Sequence, residues 1–218
     1  MSKEFGSKYP EIQSPTIAPN LNVCVHQNNW EVALGLMSPD EIRIAYKLAD
    51  CARKIAPAAC GLPENQGKSG FVVVYTKRDK NSPVLTIQIG DVNDPDEFYT
   101  PGGKLEKYCI FAREKAQVLK DHPEFISSSQ NLTLPVDERL RSPANQEIPA
   151  GAIAFGDAIV SVSAFKNANM DAATAIAIGA GAGLTTIDGA EKIAMDPRVN
   201  CKEFMVNEDE IFVVPILH

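Results

Sequence analysis

The sequence predicts an α+β fold, with a mainly antiparallel sheet packed against helices. Two observations carry that expectation. Two pairs of short β-rich runs are each joined by a turn, and each pair is followed by a segment of helical period. Hairpins followed by helices build an antiparallel sheet with helices laid on it, whereas a doubly wound parallel sheet alternates single strands with helices.

The elements follow in order along the 218 residues. Residues 1–20 are polar and carry Pro10, Pro15 and Pro19, the pattern of an extended arm. "LNVCVHQNNWEVALGL" alternates briefly, which places a short strand there. "SPDEIRIAYKLADCARKIA" opens with a helix signature. Ser38 suits the N-cap, Pro39 the first helical position, and Glu41 the far side of a capping box. Ile42, Ala45, Ala49 and Ala52 recur at helical spacing, flanked by Leu48 and Cys51, and Pro57 with Gly61 ends the run.

"GFVVVYT" and "PVLTIQIG" form the first hairpin, with the charged turn "KRDKNS" between them. "KLEKYCIFAREKAQVLKD" is the second clear helix. Leu105, Tyr108, Cys109, Ala112, Ala116 and Leu119 make its apolar stripe, and Glu106, Arg113, Glu114 and Lys120 lie largely off it. The prolyl stretch from His122 to Gly151 has little period, and loops of that length often serve function or act as lids. "AIAFGDAIVSVSAF" is the second hairpin. "NANMDAATAIAIGAGAG" reads as a helix, "DGAEKIAMD" as a short one, and "DEIFVVPIL" as a closing edge strand.

The glycine run Gly179, Gly181 and Gly183 invites a phosphate-binding reading that its context excludes. A dinucleotide fingerprint needs a strand, then GxGxxG, then a helix N-terminus. Here an Ala-rich helix runs into the glycines, so its electronegative end would face any phosphate. The run is read instead as a small-residue surface for close packing that ends in a cap.

Charge and cysteine use narrow the function classes. The net charge of -7 disfavours nucleic acid and anionic membranes as partners. Five cysteines with no CxxC spacing suit neither a disulfide framework nor a zinc site, and fit reduced thiols in a cytoplasmic protein. No apolar leader is read in "MSKEFGSKYPEIQSP", and no apolar stretch is long enough to span a membrane. The acidic "DVNDPDE" lacks EF-hand spacing and is read as a turn, so no metal site is expected. No nucleophile elbow, HExxH or Cys/His signature is present. Ser163 at a strand end, with His122 as base, is the only hydrolytic pairing on offer.

Four segments in order resemble the GlcG/HbpS family of haem-degrading domains: "SPDEIRIAYKLADCARKIA", "GFVVVYTKRDKNSPVLTIQIG", "YCIFAREKAQVL" and "DAIVSVSAFKNANMDAATAIAIGAG". The Lys-Ala pair of the family's helix falls on Lys115–Ala116. The strand that ends Ser-Gly in the family ends here in Ser163–Ala164. The acidic residue leading into the small-residue helix is Asp171. The chain is read as a divergent member, with "YTKRDK" and "EIPAG" where the family carries Asp and Gly, and Gly-Gly-Pro.

The resemblance sets boundaries of 1–35 for an N-terminal extension, 36–186 for the domain, and 187–218 for a C-terminal extension packing on it. It implies a profilin-like fold, homo-oligomerisation, and binding of haem or a related small molecule. The candidate binding residues are Arg113, Lys115, His122, Ser163 and Asp171, grouped between the second helix, the long loop and the late strands. His122 is the best-placed axial ligand, since haem iron takes His, Cys, Met or Tyr; Tyr108, Cys109 and Met170 are read as core. Arg113 and Lys115 suit a carboxylate or propionate. Two alternatives stand beside this reading: an enzyme acting on a small carboxylate-bearing metabolite in the same cleft, and a non-catalytic accessory or scaffold subunit.

Overall fold

The computed structural model describes residues 22–26, 47–48, 50–51, 70–76, 83, 85–90, 104–142, 146–165, 167–207 and 210–213. The capped start at Ser38, the turn at 77–82, the acidic loop at 91–97, the first 21 residues and His218 lie outside them.

The chain forms an antiparallel sheet with helices on both faces, which is the α+β class. The strands are β1 (Asn22–His26), β2 (Gly70–Thr76), β3 (Leu85–Gly90), β4 (Ala152–Phe155) and β5 (Ala158–Ser163). They lie in the order β1-β3-β2-β5-β4, and every neighbouring pair is antiparallel. Both predicted hairpins are present, and they join through β2 and β5, with Val73 opposite Ser161. The β4–β5 hairpin turns on Gly156 and Asp157, because Phe155 already pairs with Ala158. Beyond β4 the ladder gains one more rung: Ser127 bridges Ile153, and the Ala154 N–H donates to the Ile126 carbonyl at 2.9 Å.

The run "VVVY" explains why this sheet has no wet face at its centre. Strand side chains alternate between faces, so a continuous apolar run requires cover on both. Val72 and Val74 join Ile153, Phe155, Val160 and Val162 in one core. Val73 and Tyr75 join Ala152 and Ile159 in the other. Helix α1 (Lys104–Asp121) covers this second face through Ala112, Ala116 and Leu119. Ser161 sits under it and donates to the Ala112 carbonyl at 2.6 Å. Lys120 departs from the exposed position its sequence context suggests. It is buried, with its ammonium 4.1 Å from the centre of the Tyr75 ring, so its stem covers apolar surface and its charge meets the ring face.

Helix α2 (Ala168–Gly181) covers the opposite face. All ten residues from Met170 to Gly179 are buried, so the helix is wrapped on every side. The sheet lies against one side of α2, while α3 (Ile187–Met195), β6 (Phe204–Asn207) and β7 (Glu210–Val213) pack elsewhere on it. Leu48, from the predicted first helix, is buried in the same core.

The glycine run serves packing and capping. A Cβ on Gly179 would lie 2.3 Å from Cζ of Phe155, so the absence of a side chain admits the ring. The helix then closes in a Schellman motif. Gly183 takes φ 81, its N–H donates to the Ala180 carbonyl, and the Leu184 N–H donates to the Gly179 carbonyl, both at 2.9 Å.

The long segment after α1 is bonded down. A 3-10 helix (Ser128–Thr133) starts with a capping box in which Ser127 accepts from the Ser129 N–H and Gln130 accepts from the Ser127 N–H. Asn131 spans the segment, donating to the Leu140 carbonyl and accepting from its N–H, both at 2.9 Å. Ser128 accepts from the Ala152 N–H and donates to the Pro149 carbonyl, which fixes the entry to β4.

Candidate functional site

Helical spacing puts Lys115 on the buried side of α1, three residues after Ala112 and four before Leu119. A lysine is almost never fully buried without a partner. Its ammonium travels past the end of β4, where the chain is Gly151, and reaches α2 on the other face of the sheet. There Nζ donates to Oδ2 of Asp171 at 2.7 Å and to the Val162 carbonyl at 2.9 Å. The side chains of Lys115 and Asp171 are 1% and 4% exposed.

Gly151 makes this passage possible. A Cβ there would lie 2.6 Å from the Lys115 ammonium and 2.7 Å from the Val162 carbonyl oxygen. The residue also has φ 136, a conformation that disfavours any side chain. Its own carbonyl accepts from the Val162 N–H at 2.8 Å, so Gly151 continues the β4–β5 pairing while leaving the gap.

Asp171 is fully engaged. Its Oδ1 accepts from the N–H groups of Ala164 and Phe165, both at 3.0 Å, where the chain leaves β5. It occupies the first turn of α2, where a carboxylate suits the helix dipole. Burial pushes its carboxyl above the ordinary range, while the Lys115 ammonium and the two backbone donors pull it back. Chemically the arrangement is a closed ion pair that locks the two helices to the sheet.

Of the residues singled out from the sequence, the structure brings together Lys115, Asp171 and the end of β5. Ser163 is buried as the last residue of that strand, opposite Phe71. Arg113 is exposed, two residues from buried Lys115, and so lies on another side of the helix. His122 sits just past α1, its side chain 28% exposed. Its ring stacks on Phe125 with centroids 4.7 Å apart, and Nδ1 lies 3.4 Å from Oε1 of Glu124. Met170 belongs to the core, and Tyr108 and Cys109 are half-buried.

A second buried polar group escaped the sequence reading. Glu203 is buried and accepts from Asn167 Nδ2 at 3.2 Å, so it ties the N-cap residue of α2 to the approach to β6. Beside it Cys201 donates to the Asn169 carbonyl, and burial followed by the Glu203 charge pushes its thiol up to about 12. That thiol is inert as a nucleophile at neutral pH. Among the described residues, two buried side-chain oxygens lack a hydrogen-bond partner, Glu114 Oε2 and Thr174 Oγ1. No sequence signal marks either one.

No described helix is long and apolar enough to cross a membrane. Among the described residues no three His, Cys, Asp or Glu side chains group as metal ligands. Comparison with family models, with curated proteins and with solved structures finds no match to this chain.

Proposed function

We propose that the chain is a small-molecule-binding protein of the GlcG/HbpS type, with a profilin-like sheet, that takes haem or a related ligand. The observation that carries this reading is the meeting of Lys115 with Asp171. These two positions, from separate segments, carry the resemblance, and one explanation covers both: they form the link through the sheet. The joining of the two hairpins at their inner strands, β2 and β5, also supports a profilin-like architecture.

Lys115 and Asp171 satisfy one another, so they are frame residues in this reading. His122 has the donor chemistry of an axial ligand. Its Nδ1 lies 3.4 Å from the Glu124 carboxylate, which leaves Nε2 for iron. Phe125 supplies an apolar neighbour to the imidazole. Arg113, exposed on α1, is the candidate partner for a propionate.

Haem titration of the full chain, followed by absorbance, tests the reading. Saturable binding with a shifted Soret band that is lost in His122→Ala supports it. No shift, or a shift unchanged by that substitution, overturns ligation by His122. The reading as a non-catalytic accessory subunit draws on a specific observation, the closure of Lys115–Asp171 away from solvent. It expects a homo-oligomer that binds no haem, seen by light scattering on the same sample.

A further inference from the structure

A groove of about 290 Å³ lies between the last turns of α3 and the chain entering β6, and its lining includes none of the residues of the haem reading. Ala194 and Phe204 are buried apolar residues of its wall. Met195 joins them and is 81% exposed, the most exposed of the large hydrophobics among the described residues. Two charges of opposite sign complete the lining: Glu191 from α3 and Lys202 from the following loop. Both are exposed, and neither makes an ion pair among the described residues.

The groove is preformed. The Cys201 N–H donates to the Ala194 carbonyl at 2.8 Å, and the Asn200 N–H donates to the Asp196 carbonyl at 2.7 Å. Asn200 holds φ 45, a left-handed conformation unusual for a residue with a side chain. Arg198 braces the same loop through two side-chain bonds to Asp196, at 2.9 and 2.7 Å, which hold that carboxyl down at about 2. A ligand entering there meets a loop already ordered, so little of its binding energy is lost in fixing the site.

We propose that this groove binds a small apolar zwitterion of the amino-acid class. Its size sits at the lower end of ligand pockets, which begin at roughly 300 Å³, and that excludes a macrocycle. Met195, Ala194 and Phe204 take the apolar body. Glu191 takes the ammonium and Lys202 the carboxylate, each charge meeting one otherwise left to water. The proposal stands on other residues than the haem reading, and the two fail separately.

Calorimetric titration of the full chain with phenylalanine, phenylpropionate and phenylethylamine tests it, since the three share a body and differ in charge. Phenylalanine binds at one saturable site, and each single-charge analogue binds at least about tenfold more weakly, a difference of about 1.4 kcal/mol. Glu191→Gln weakens phenylalanine and phenylethylamine and spares phenylpropionate; Lys202→Gln weakens phenylalanine and phenylpropionate and spares phenylethylamine. Both positions are exposed, so the fold tolerates the changes. Three results overturn the proposal: no saturable heat at millimolar concentration, equal affinity for all three compounds, or phenylalanine binding unaltered in both variants. A dimer that Met195→Glu dissociates overturns it as well, because the groove is then an interface between copies of the chain.

Discussion

Lys115 Nζ lies 2.7 Å from Asp171 Oδ2, although the two residues are 56 positions apart and their helices cover opposite faces of the sheet. The bond passes the end of β4 at Gly151, so one side chain connects three layers. Asp171 converts that link into order at the end of β5 through its bonds to Ala164 and Phe165. A single buried charge pair therefore joins two helices and a strand end.

Gly151→Ala tests the passage. The added Cβ would meet the Lys115 ammonium at 2.6 Å, and the backbone would hold an alanine at φ 136. The expected loss is more than about 2 kcal/mol of stability, read from urea midpoints. A loss within the ordinary range for a surface substitution would show that the gap is not needed.

Gly179→Ala tests the close approach of α2. Alanine in a helix interior ordinarily gains about 1 kcal/mol over glycine. Here the new Cβ would fall 2.3 Å from the Phe155 ring, so the sign reverses to a loss of about 1–3 kcal/mol. Phe155→Leu in the same chain restores part of it. A stabilised Gly179→Ala variant contradicts the packing described.

Thr174→Val removes a buried hydroxyl that has no partner among the described residues. The expected change is a gain of about 1 kcal/mol, because the cost of desolvating that hydroxyl disappears. Loss of stability in the valine variant would mean that the hydroxyl is bonded in solution.

Acid titration of stability carries a definite sign. Burial holds the Asp171 carboxyl above its ordinary value of 3.8, so the folded chain keeps that proton longer than the unfolded one. Between the two values the unfolded state is ionised first, and this group's contribution to stability falls as pH rises. Lys115→Met removes the ammonium that holds the folded value down, so the window extends upward and the fall becomes larger. Denaturation midpoints across that range, compared with the parent chain, check it; a difference that grows more favourable with pH is the opposite result.

Much of this fold was legible in the sequence. Both described hairpins, α1, α2 and α3 follow from period and turn residues, and the glycine run reads correctly as a packing and capping device. The closed state of the long segment was not legible, because its order comes from Ser128, Gln130 and Asn131 bonding to backbone. A residue's polarity does not announce such partners. Lys120 was misplaced for a related reason: its stem and its charge make separate contacts. The signal for Lys115 was present as a cation at a core position of an apolar stripe, which calls for a buried partner. Its identity was not readable, since nothing local relates α1 to a residue 56 positions away. Of the candidate site, Lys115 and Asp171 come together, while Arg113 lies on another side of α1 and His122 beyond its end.

The most direct test of the link between the two helices is a double-mutant cycle on Lys115→Met and Asp171→Asn. Asparagine keeps an acceptor for Ala164 and Phe165, removes the charge, and puts an N–H donor where Oδ2 accepted from Lys115. Each single change leaves a buried charge unpaired and costs about 3–5 kcal/mol. The double variant loses less than the sum, with a coupling of at least about 2 kcal/mol. Additivity within about 0.5 kcal/mol would contradict the account, because it would mean that Lys115 and Asp171 do not depend on each other.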